Sequence, residues 1–386
     1  MKVVVVGAGI VGAACAFHAA AAGLDVTVLD RGPVGAGTTS RGEGNILLSD
    51  KRPGPELELA RLSRELWDEV GAELGPHTVE LQAKGGLVVA STPGALAGLQ
   101  VFATRQSAAG VRTERVGCAR DLEPHLAPGL PGGVHYPQDA QVQPVLAAAG
   151  LLGAARRRGA RARTGEAVAP VTGRGGRIRG VRTADGAVLP ADAVVNAAGT
   201  WGGEVGRRLG APVEILPRRG FVLVTQPLPP MIRHKVYSAD YVADVASDSA
   251  GLETSCVVEG TRAGTILIGA SRERVGFDTA MDPAVVAALA AGACRLFPFL
   301  RTTQVIRTYR GFRPYCPDHL PVVGPDPRVP GVVHACGHEG AGVGLAPATG
   351  ALVTAHLLGR PWRGADPAAH AGLLPDRFLT GEGAPS

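Results

Sequence analysis

The sequence has 386 residues, of which 45% are hydrophobic and 19% charged, and its formal net charge is +5. A chain of this size and composition can bury a large core and is typical of a soluble globular protein with two domains. The basic residues are mostly scattered arginines that do not alternate with aromatic residues, so they do not predict a nucleic-acid surface. The six cysteines lack C-x-x-C and metal-ligand spacing, which indicates free thiols in a reducing cytoplasm and no metal site.

The start of the chain predicts a β-α-β unit that binds a dinucleotide. Val3–Val6 form a short apolar run typical of a buried parallel strand, and an Ala-rich helix and a second strand ending at Asp30 follow. Gly7, Gly9 and Gly12 complete G-x-G-x-x-G between strand and helix. These glycines permit the tight turn, the approach of backbone to a pyrophosphate at the helix N-terminus, and close helix–sheet contact. The carboxylate of Asp30 can accept hydrogen bonds from ribose hydroxyl groups.

Further elements follow in chain order. Residues 37–45, GTTSRGEGN, form a small, polar segment that can lie against a flat polar ring system, although an ordinary surface loop has the same composition. Helical spacing of apolar residues predicts a core helix at 55–71, and Pro144 predicts the start of another. Residues 162–171 read as one strand with Val168 inward, and the small residues that end the strand at 193–199 leave room for a nucleotide beside the first strand.

The second half of the chain predicts an antiparallel sheet followed by a second glycine-rich turn. Alternating strands appear between residues 221 and 310, together with a helix at 283–296. The block beginning at Arg310 places Arg313 after a strand, and the glycine-rich segment 337–350 runs into an apolar helix at 351–358. The apolar N-terminus has the composition of a signal peptide, but the glycine motif explains it better, and no other segment is expected to span a bilayer.

Five motifs in this order resemble the D-amino-acid oxidase superfamily of FAD-dependent amine oxidoreductases, and in particular glycine oxidase, sarcosine oxidase and the flavoprotein subunits of proline, hydroxyproline and opine dehydrogenases. The motifs are V-G-A-G-I-V-G with Asp30, T-T-S-R-G-E-G-N, V-V-N-A-A-G-T-W, R-P-Y-C-P-D-H-L-P and G-H-E-G-A-G-V-G-L-A-P-A-T-G. The resemblance implies an α/β fold, with a Rossmann-type FAD-binding domain of the glutathione-reductase type and an inserted antiparallel-sheet substrate domain. The implied segments are 1–78, 138–218 and 311–376 for FAD, 79–137 and 219–310 for substrate, and 377–386 as a tail.

The resemblance also implies which residues hold FAD. The first glycine motif and Asp30 take the pyrophosphate and ribose, Val168 the adenine, and the threonine-rich and closing glycine segments the flavin. The implied cofactor residues are Gly7, Gly9, Gly12, Asp30, Arg31, Thr39, Ser40, Gly44, Val168, Gly199, Trp201, Gly340, Gly342 and Val343. Cys316 is out of register with the cysteine that links FAD in some sarcosine oxidases, so we expect non-covalent FAD.

Arg313 matches the arginine that grips the substrate carboxylate in the family. The expected reaction is hydride transfer from Cα of a small amino or imino acid to the flavin, without an essential protein base. Tyr241 either gives its hydroxyl to the carboxylate or packs in the sheet, His338 lies beside the flavin or bonds to backbone, and Glu43 neutralises the substrate ammonium or pairs with Arg41.

Four functions stay open from the sequence. The chain is either a free-standing oxidase using oxygen or a flavoprotein subunit passing electrons to a partner, and an oligomer or complex is compatible with both. A flavin-binding subunit without amine chemistry is disfavoured by the intact Arg313 block. An NAD-dependent dehydrogenase is disfavoured by the second glycine-rich turn.

Overall fold

The computed structural model describes residues 1–239 and 249–379, and Tyr241 therefore lies outside the described residues. The helices of the described part are α1 (Ile10–Ala21), α2 (Pro55–Leu74), α3 (Pro93–Ala108), α4 (Pro144–Arg157), α5 (Gly202–Arg208), α6 (Pro283–Leu296) and α7 (Gly342–Leu358). The strands are β1 (Lys2–Val6), β2 (Asp25–Asp30), β3 (Asn45–Ile46), β4 (Gly86–Ala90), β5 (Glu114–Val116), β6 (Gly132–Tyr136), β7 (Ala140–Gln141), β8 (Arg161–Thr164), β9 (Ala167–Thr172), β10 (Ile178–Thr183), β11 (Val188–Pro190), β12 (Ala193–Asn196), β13 (Leu216–Thr225), β14 (Lys235–Ser238), β15 (Glu253–Gly260), β16 (Ile266–Arg272), β17 (Val305–Tyr315), β18 (Val322–Pro325) and β19 (Val332–Cys336).

A six-stranded sheet carries the first glycine motif. Its strand order is β18-β19-β12-β1-β2-β8, and every pair is parallel except β18–β19. The valines of β1 are buried, as expected of a strand covered on both faces. The expectation that the strand after residue 193 lies beside the first strand is confirmed, because β12 pairs with β1.

An eight-stranded sheet forms the second layer of the fold. Its order is β17-β13-β16-β15-β14-β4-β6-β5, and of these pairs only β14–β4 is parallel. The predicted α/β fold with a Rossmann-type sheet and an antiparallel sheet is therefore confirmed. The strands β13 and β17 run across the predicted boundaries near residues 218 and 310, and the division into domains stays a prediction.

The strand predicted at 162–171 is two strands in two different sheets. Strand β8 pairs with β2, whereas β9 pairs with β10 in a separate three-stranded sheet. The chain turns at Gly165, whose φ is 159° and whose N–H donates to the carbonyl of Asp30 at 2.8 Å. Ala167 is the buried residue here and Val168 is only partly buried, so the expected inward position of Val168 is wrong.

Helix α7 begins at Gly342 and not at Ala351. Together with the preceding turn it spans Glu339–Leu358, which is long and apolar enough to cross a membrane by length and composition, contrary to the expectation from sequence. However, 61% of its apolar window is buried inside the protein. A Cβ on Gly350 would lie 2.5 Å from the carbonyl oxygen of Ala14, so this glycine lets α7 approach α1 closely. These contacts identify α7 as a core helix.

Candidate active site

One large cleft lies between the carboxyl ends of the six-stranded sheet and one face of the eight-stranded sheet. Its cavity volume is about 310 Å³. This lies at the lower end of the roughly 300–1,000 Å³ typical of a small-ligand pocket. Ligands of open α/β sheets bind at this edge, beyond the carboxyl ends of the parallel strands. The cleft therefore has the position expected of a nucleotide-binding site, and its lining combines residues of both sheets.

The first glycine motif forms one end of the cleft. Gly7 has φ of 115°, and a Cβ there would lie 2.3 Å from the carbonyl oxygen of Ala197. Helix α1 starts directly afterwards with Gly9 as its N-cap, which offers no side chain to cover the helix end. A Cβ on Gly12 would lie 1.9 Å from the carbonyl oxygen of Gly7, so this residue lets the helix pack on the turn. The helix N-terminus is thus open to an anion.

Asp30 ends β2 and lies across the turn from α1. Its Oδ2 accepts a hydrogen bond from the N–H of Ala8 at 2.6 Å, and its Oδ1 accepts one from the N–H of Gly32 at 2.8 Å. The carboxylate therefore braces the glycine turn in addition to facing the cleft. Because an ionised carboxylate has about four acceptor sites, it retains capacity for ribose hydroxyl groups.

An aromatic wall closes one side of the cleft. Trp201 stacks on Phe277 with ring centroids 5.6 Å apart, and the guanidinium of Arg31 lies 4.3 Å from the centroid of the Trp201 ring. The hydroxyl groups of Thr38 and Thr200 both donate to the carbonyl oxygen of Phe312, at 2.7 and 2.8 Å. These bonds tie the loop after β2 and the turn after β12 to β17.

The second glycine-rich turn is anchored by a buried arginine that sequence reasoning missed. Arg218 has a side chain only 1% exposed, and it pairs with Glu339 at 2.9 Å and with Glu253 at 3.1 Å. Glu339 has φ of 43° and lines the cleft. His338 is buried, contacts the Thr349 hydroxyl at 3.0 Å through Nε2, and has its pKa lowered by burial to about 4. It is therefore a neutral histidine whose hydrogen bond within the described part of the chain is to a side chain.

Arg313 lies inside β17 and not after a strand as expected. Its Nη1 donates to the carbonyl oxygen of Ser271 at 2.8 Å. A Cβ on Gly220 would lie 2.3 Å from the same Nη1, and a Cβ on Gly340 would lie 3.6 Å from Nε. The side chain therefore extends between the sheet and the second glycine-rich turn, and it lines the cleft.

The structure brings most of the predicted site residues together. Those that line the cleft are Gly7, Gly9, Asp30, Arg31, Thr39, Gly199, Trp201, Arg313, Gly340, Gly342 and Val343. Gly12, Ser40, Gly44 and Val168 do not line it. Ser40 is exposed, and its hydroxyl group donates to the carbonyl oxygens of Ala36 and Gly37. A Cβ on Gly44 would lie 1.8 Å from the carbonyl oxygen of Val142, so this glycine allows the backbone of the two segments to pack closely. The individual roles of the predicted residues stay predictions.

Several cleft residues have no signal in the sequence. Gly165 and Ala167, which flank the segment before Val168, line the cleft, and Arg208 lies beside them, paired with Glu166 at 2.5 Å and Glu204 at 2.6 Å. These residues come from short elements on either side of β12. These residues come close together only because of the way the strands pair, and no local sequence motif indicates that pairing.

A family model described as FAD dependent oxidoreductase, DAO, matches residues 2–356. The chain belongs to the DAO family of FAD-dependent oxidoreductases. It is 30% identical to glycine oxidase of Pseudomonas putida over 366 residues, covering 93% of this chain and 94% of that protein. The structure of glycine oxidase from Geobacillus kaustophilus matches with a TM-score of 0.82 and 27% identity, covering 93% of this chain and 95% of that chain.

Another relative is the hydrogen cyanide synthase subunit HcnC of Pseudomonas aeruginosa. It is 32% identical over 235 residues, which cover 61% of this chain and 53% of that protein. The chain thus matches only about half the length of that relative. Membership of the family excludes the NAD-dependent alternative.

The cleft of this member fits FAD. The uncovered N-terminus of α1 suits the pyrophosphate, the carboxylate of Asp30 suits ribose, and the second glycine-rich turn supplies a place without side chains at Gly340 and Gly342. The six cysteines are all free, and none of them lines the cleft.

Replacing Asp30 with alanine is expected to weaken FAD retention more than it changes turnover of the loaded enzyme. Hydrogen bonds to a charged group contribute about 1.5–3 kcal/mol, which corresponds to roughly 10- to 150-fold in Kd. Flavin occupancy after dilution and gel filtration measures the effect. Asp30→Asn, which keeps an acceptor for the turn, is the control, and unchanged occupancy in Asp30→Ala would contradict the ribose assignment.

Acid precipitation is expected to release all of the flavin. Cys316 is buried, lies outside the cleft lining, and has its pKa raised by burial, so its thiol neither reaches the cleft nor ionises readily. The absorbance of supernatant and pellet measures the release. A yellow pellet would show a covalent link.

Proposed function

We propose that this chain oxidises the C–N bond of a small amino or imino acid, giving an imine that hydrolyses to a 2-oxo acid. The observation that carries the proposal is the position of Arg313 in the cleft, between the sheet and the second glycine-rich turn. A guanidinium binds a carboxylate bidentately and stays charged, so it suits anchoring of an amino-acid substrate. FAD, when bound, supplies the acceptor for the hydride that leaves Cα.

A main part of the protein's work is orientation of the substrate. Arg313 fixes one end of the substrate, and the anchoring carbonyl of Ser271 limits where the guanidinium can move. Because the bound substrate is held with its Cα–H bond in one orientation, less entropy is lost in reaching the transition state, and the activation barrier for hydride transfer is lower. The neutral His338 adds no charge to this part of the cleft. The similarity to glycine oxidases over nearly the whole chain supports the same substrate class.

The test is an anaerobic screen of the purified protein with glycine, sarcosine, D-amino acids, proline and hydroxyprolines. At least one of these compounds is expected to bleach the flavin absorbance. If none reduces the flavin, the proposal is wrong.

A second candidate is a flavoprotein subunit of a multi-chain dehydrogenase that passes electrons to a partner and not to oxygen. The match to a protein named as a subunit of hydrogen cyanide synthase supports it. Peroxide release compared with reduction of an artificial dye, measured on the chain alone, separates the two. Rapid dye reduction with little peroxide favours the subunit.

A further inference from the structure

Glu43 is a buried carboxylate that lines the cleft. Its side chain is 6% exposed, its Oε2 accepts from the Asn45 amide at 3.3 Å, and the same oxygen lies 3.8 Å from Nζ of Lys235. Its Oε1 is buried and has no hydrogen-bond partner within the described residues. A buried carboxylate oxygen without a donor costs free energy, so this oxygen is suited to a donor that arrives with a ligand.

The charges around Glu43 include an ion pair and an arginine. Lys235 and Glu259 form a close ion pair with side chains 1% and 2% exposed, so each largely offsets the other. The charge of Arg313 also acts on Glu43, so an ionised Glu43 and this guanidinium are the two further charges of the group. Arg41, the pairing partner considered from the sequence, lies against Gly311, where a Cβ would be 2.5 Å from the Arg41 Cβ. The ion-pair contact of Glu43 is to Lys235.

Strand β16 places Glu43 beside Arg313. A Cβ on Gly269 would lie 2.8 Å from Oε1 of Glu43, and Nη1 of Arg313 donates to the carbonyl oxygen of Ser271. Both side chains line the same cleft, and the charge of Arg313 acts on Glu43. The two side chains thus form a pair of opposite charges that complements an amino-acid zwitterion.

We propose that Glu43 binds the amino group of the substrate and takes up the proton that the ammonium loses before oxidation. This inference rests on the proposed function. The N–H bond breaks, the proton moves to Oε1, and the nitrogen keeps the electron pair. That pair becomes the second bond of the imine when the hydride leaves Cα. The assignment makes Glu43 the residue that selects amines over 2-hydroxy acids of the same shape.

The pH dependence follows from the surroundings of Glu43. Burial raises the pKa of Glu43, Glu259 raises it further, and Lys235 and Arg313 lower it, with the raised direction prevailing. Among residues 1–239 and 249–379, Tyr309 and Cys256 are further titratable groups on which the charge of Glu43 acts. A protonated Glu43 accepts no proton. The value of kcat/KM therefore falls with decreasing pH through a limb above the ordinary carboxyl range, near 4.3.

The experiment compares Glu43→Gln with Glu43→Asp, each assayed with full FAD. Glu43→Gln keeps the shape and loses the charge, and it is expected to lower kcat/KM roughly 10- to 150-fold at pH 8 and to remove the acid limb. Glu43→Asp keeps a carboxylate and is expected to retain the limb. FAD content and the midpoint of thermal unfolding measure any structural damage caused by the substitutions. Structural damage alone would lower activity but would not remove the acid limb from the pH profile.

A pair of unreactive ligands tests recognition without turnover. 2-Aminoisobutyrate has no Cα–H bond to break, and pivalate has the same shape with a methyl group in place of the ammonium. Titration of the flavin absorbance is expected to show that wild type prefers 2-aminoisobutyrate and that Glu43→Gln loses this preference. Equal weakening of both ligands, no preference in wild type, or an unchanged acid limb in Glu43→Gln would each overturn the proposal. If no amino acid reduces the flavin, the proposed function fails, and this ligand pair still decides the role of Glu43.

Discussion

Replacing Arg313 with alanine is expected to lower kcat/KM for the best amino-acid substrate by roughly 30- to 1000-fold. The change leaves the substrate carboxylate unpaired in a partly dry cleft, and a charge-assisted bidentate pair contributes about 2–4 kcal/mol to binding of the transition state. FAD content is expected to stay near that of wild type, because the guanidinium is held by Ser271 on the sheet side of the cleft. Steady-state kinetics and the flavin-to-protein absorbance ratio measure both quantities.

Two further variants sharpen the test of Arg313. Arg313→Lys keeps the charge but loses the planar fork, so it is expected to recover part of the lost efficiency. Arg307→Ala removes an exposed arginine from the same strand, outside the cleft lining, and is expected to change kcat/KM less than twofold. Amines without a carboxylate are expected to be poor substrates and indifferent to the change. Wild-type efficiency in Arg313→Ala would place the carboxylate site elsewhere.

The parts of the fold that the sequence predicts are those with a local pattern. The β-α-β unit from β1 to Asp30 depends on contiguous residues, and helix α6 begins and ends where the sequence indicates because Asp282 caps it and Pro283 follows. The division of residues 161–172 into two strands could not be read in the same way. It depends on which sheet each half joins, and only Gly165 marks the change.

The candidate site shows the same limit. The first glycine motif is recognisable because its residue types suit one chemistry at a fixed spacing, whereas Arg313 was assigned through the family resemblance of its block. Arg218 meets partners 35 and 121 positions away, and nothing near it in sequence indicates that it is buried. The contact between Glu43 and Gly269 is likewise not encoded nearby in the sequence. Because Gly269 of β16 has no side chain, there is room for the carboxylate of Glu43 from the loop before β3. Such contacts follow from strand order and not from motifs.

Replacing Gly12 with alanine is expected to remove most bound FAD and to lower the free energy of unfolding by about 1–3 kcal/mol. The added Cβ would lie 1.9 Å from the carbonyl oxygen of Gly7 and 2.9 Å from its carbonyl carbon. These are backbone atoms of the turn, so helix α1 and the turn must move apart. That movement displaces the helix N-terminus on which the pyrophosphate depends.

Gly98→Ala is the matched control for Gly12→Ala. Gly98 is also inside a helix, α3, but no atom lies within 4 Å of the position its Cβ would take. The same change of one methyl group is therefore expected to stabilise the protein there by roughly 0.5–1 kcal/mol, as alanine has the higher helix propensity. Urea unfolding of FAD-free protein separates the packing effect from the loss of ligand, and absorbance at equal protein concentration gives FAD occupancy. If Gly12→Ala keeps full FAD and unfolds at the same urea concentration as wild type, the close packing of α1 on the glycine turn does not control the cofactor site.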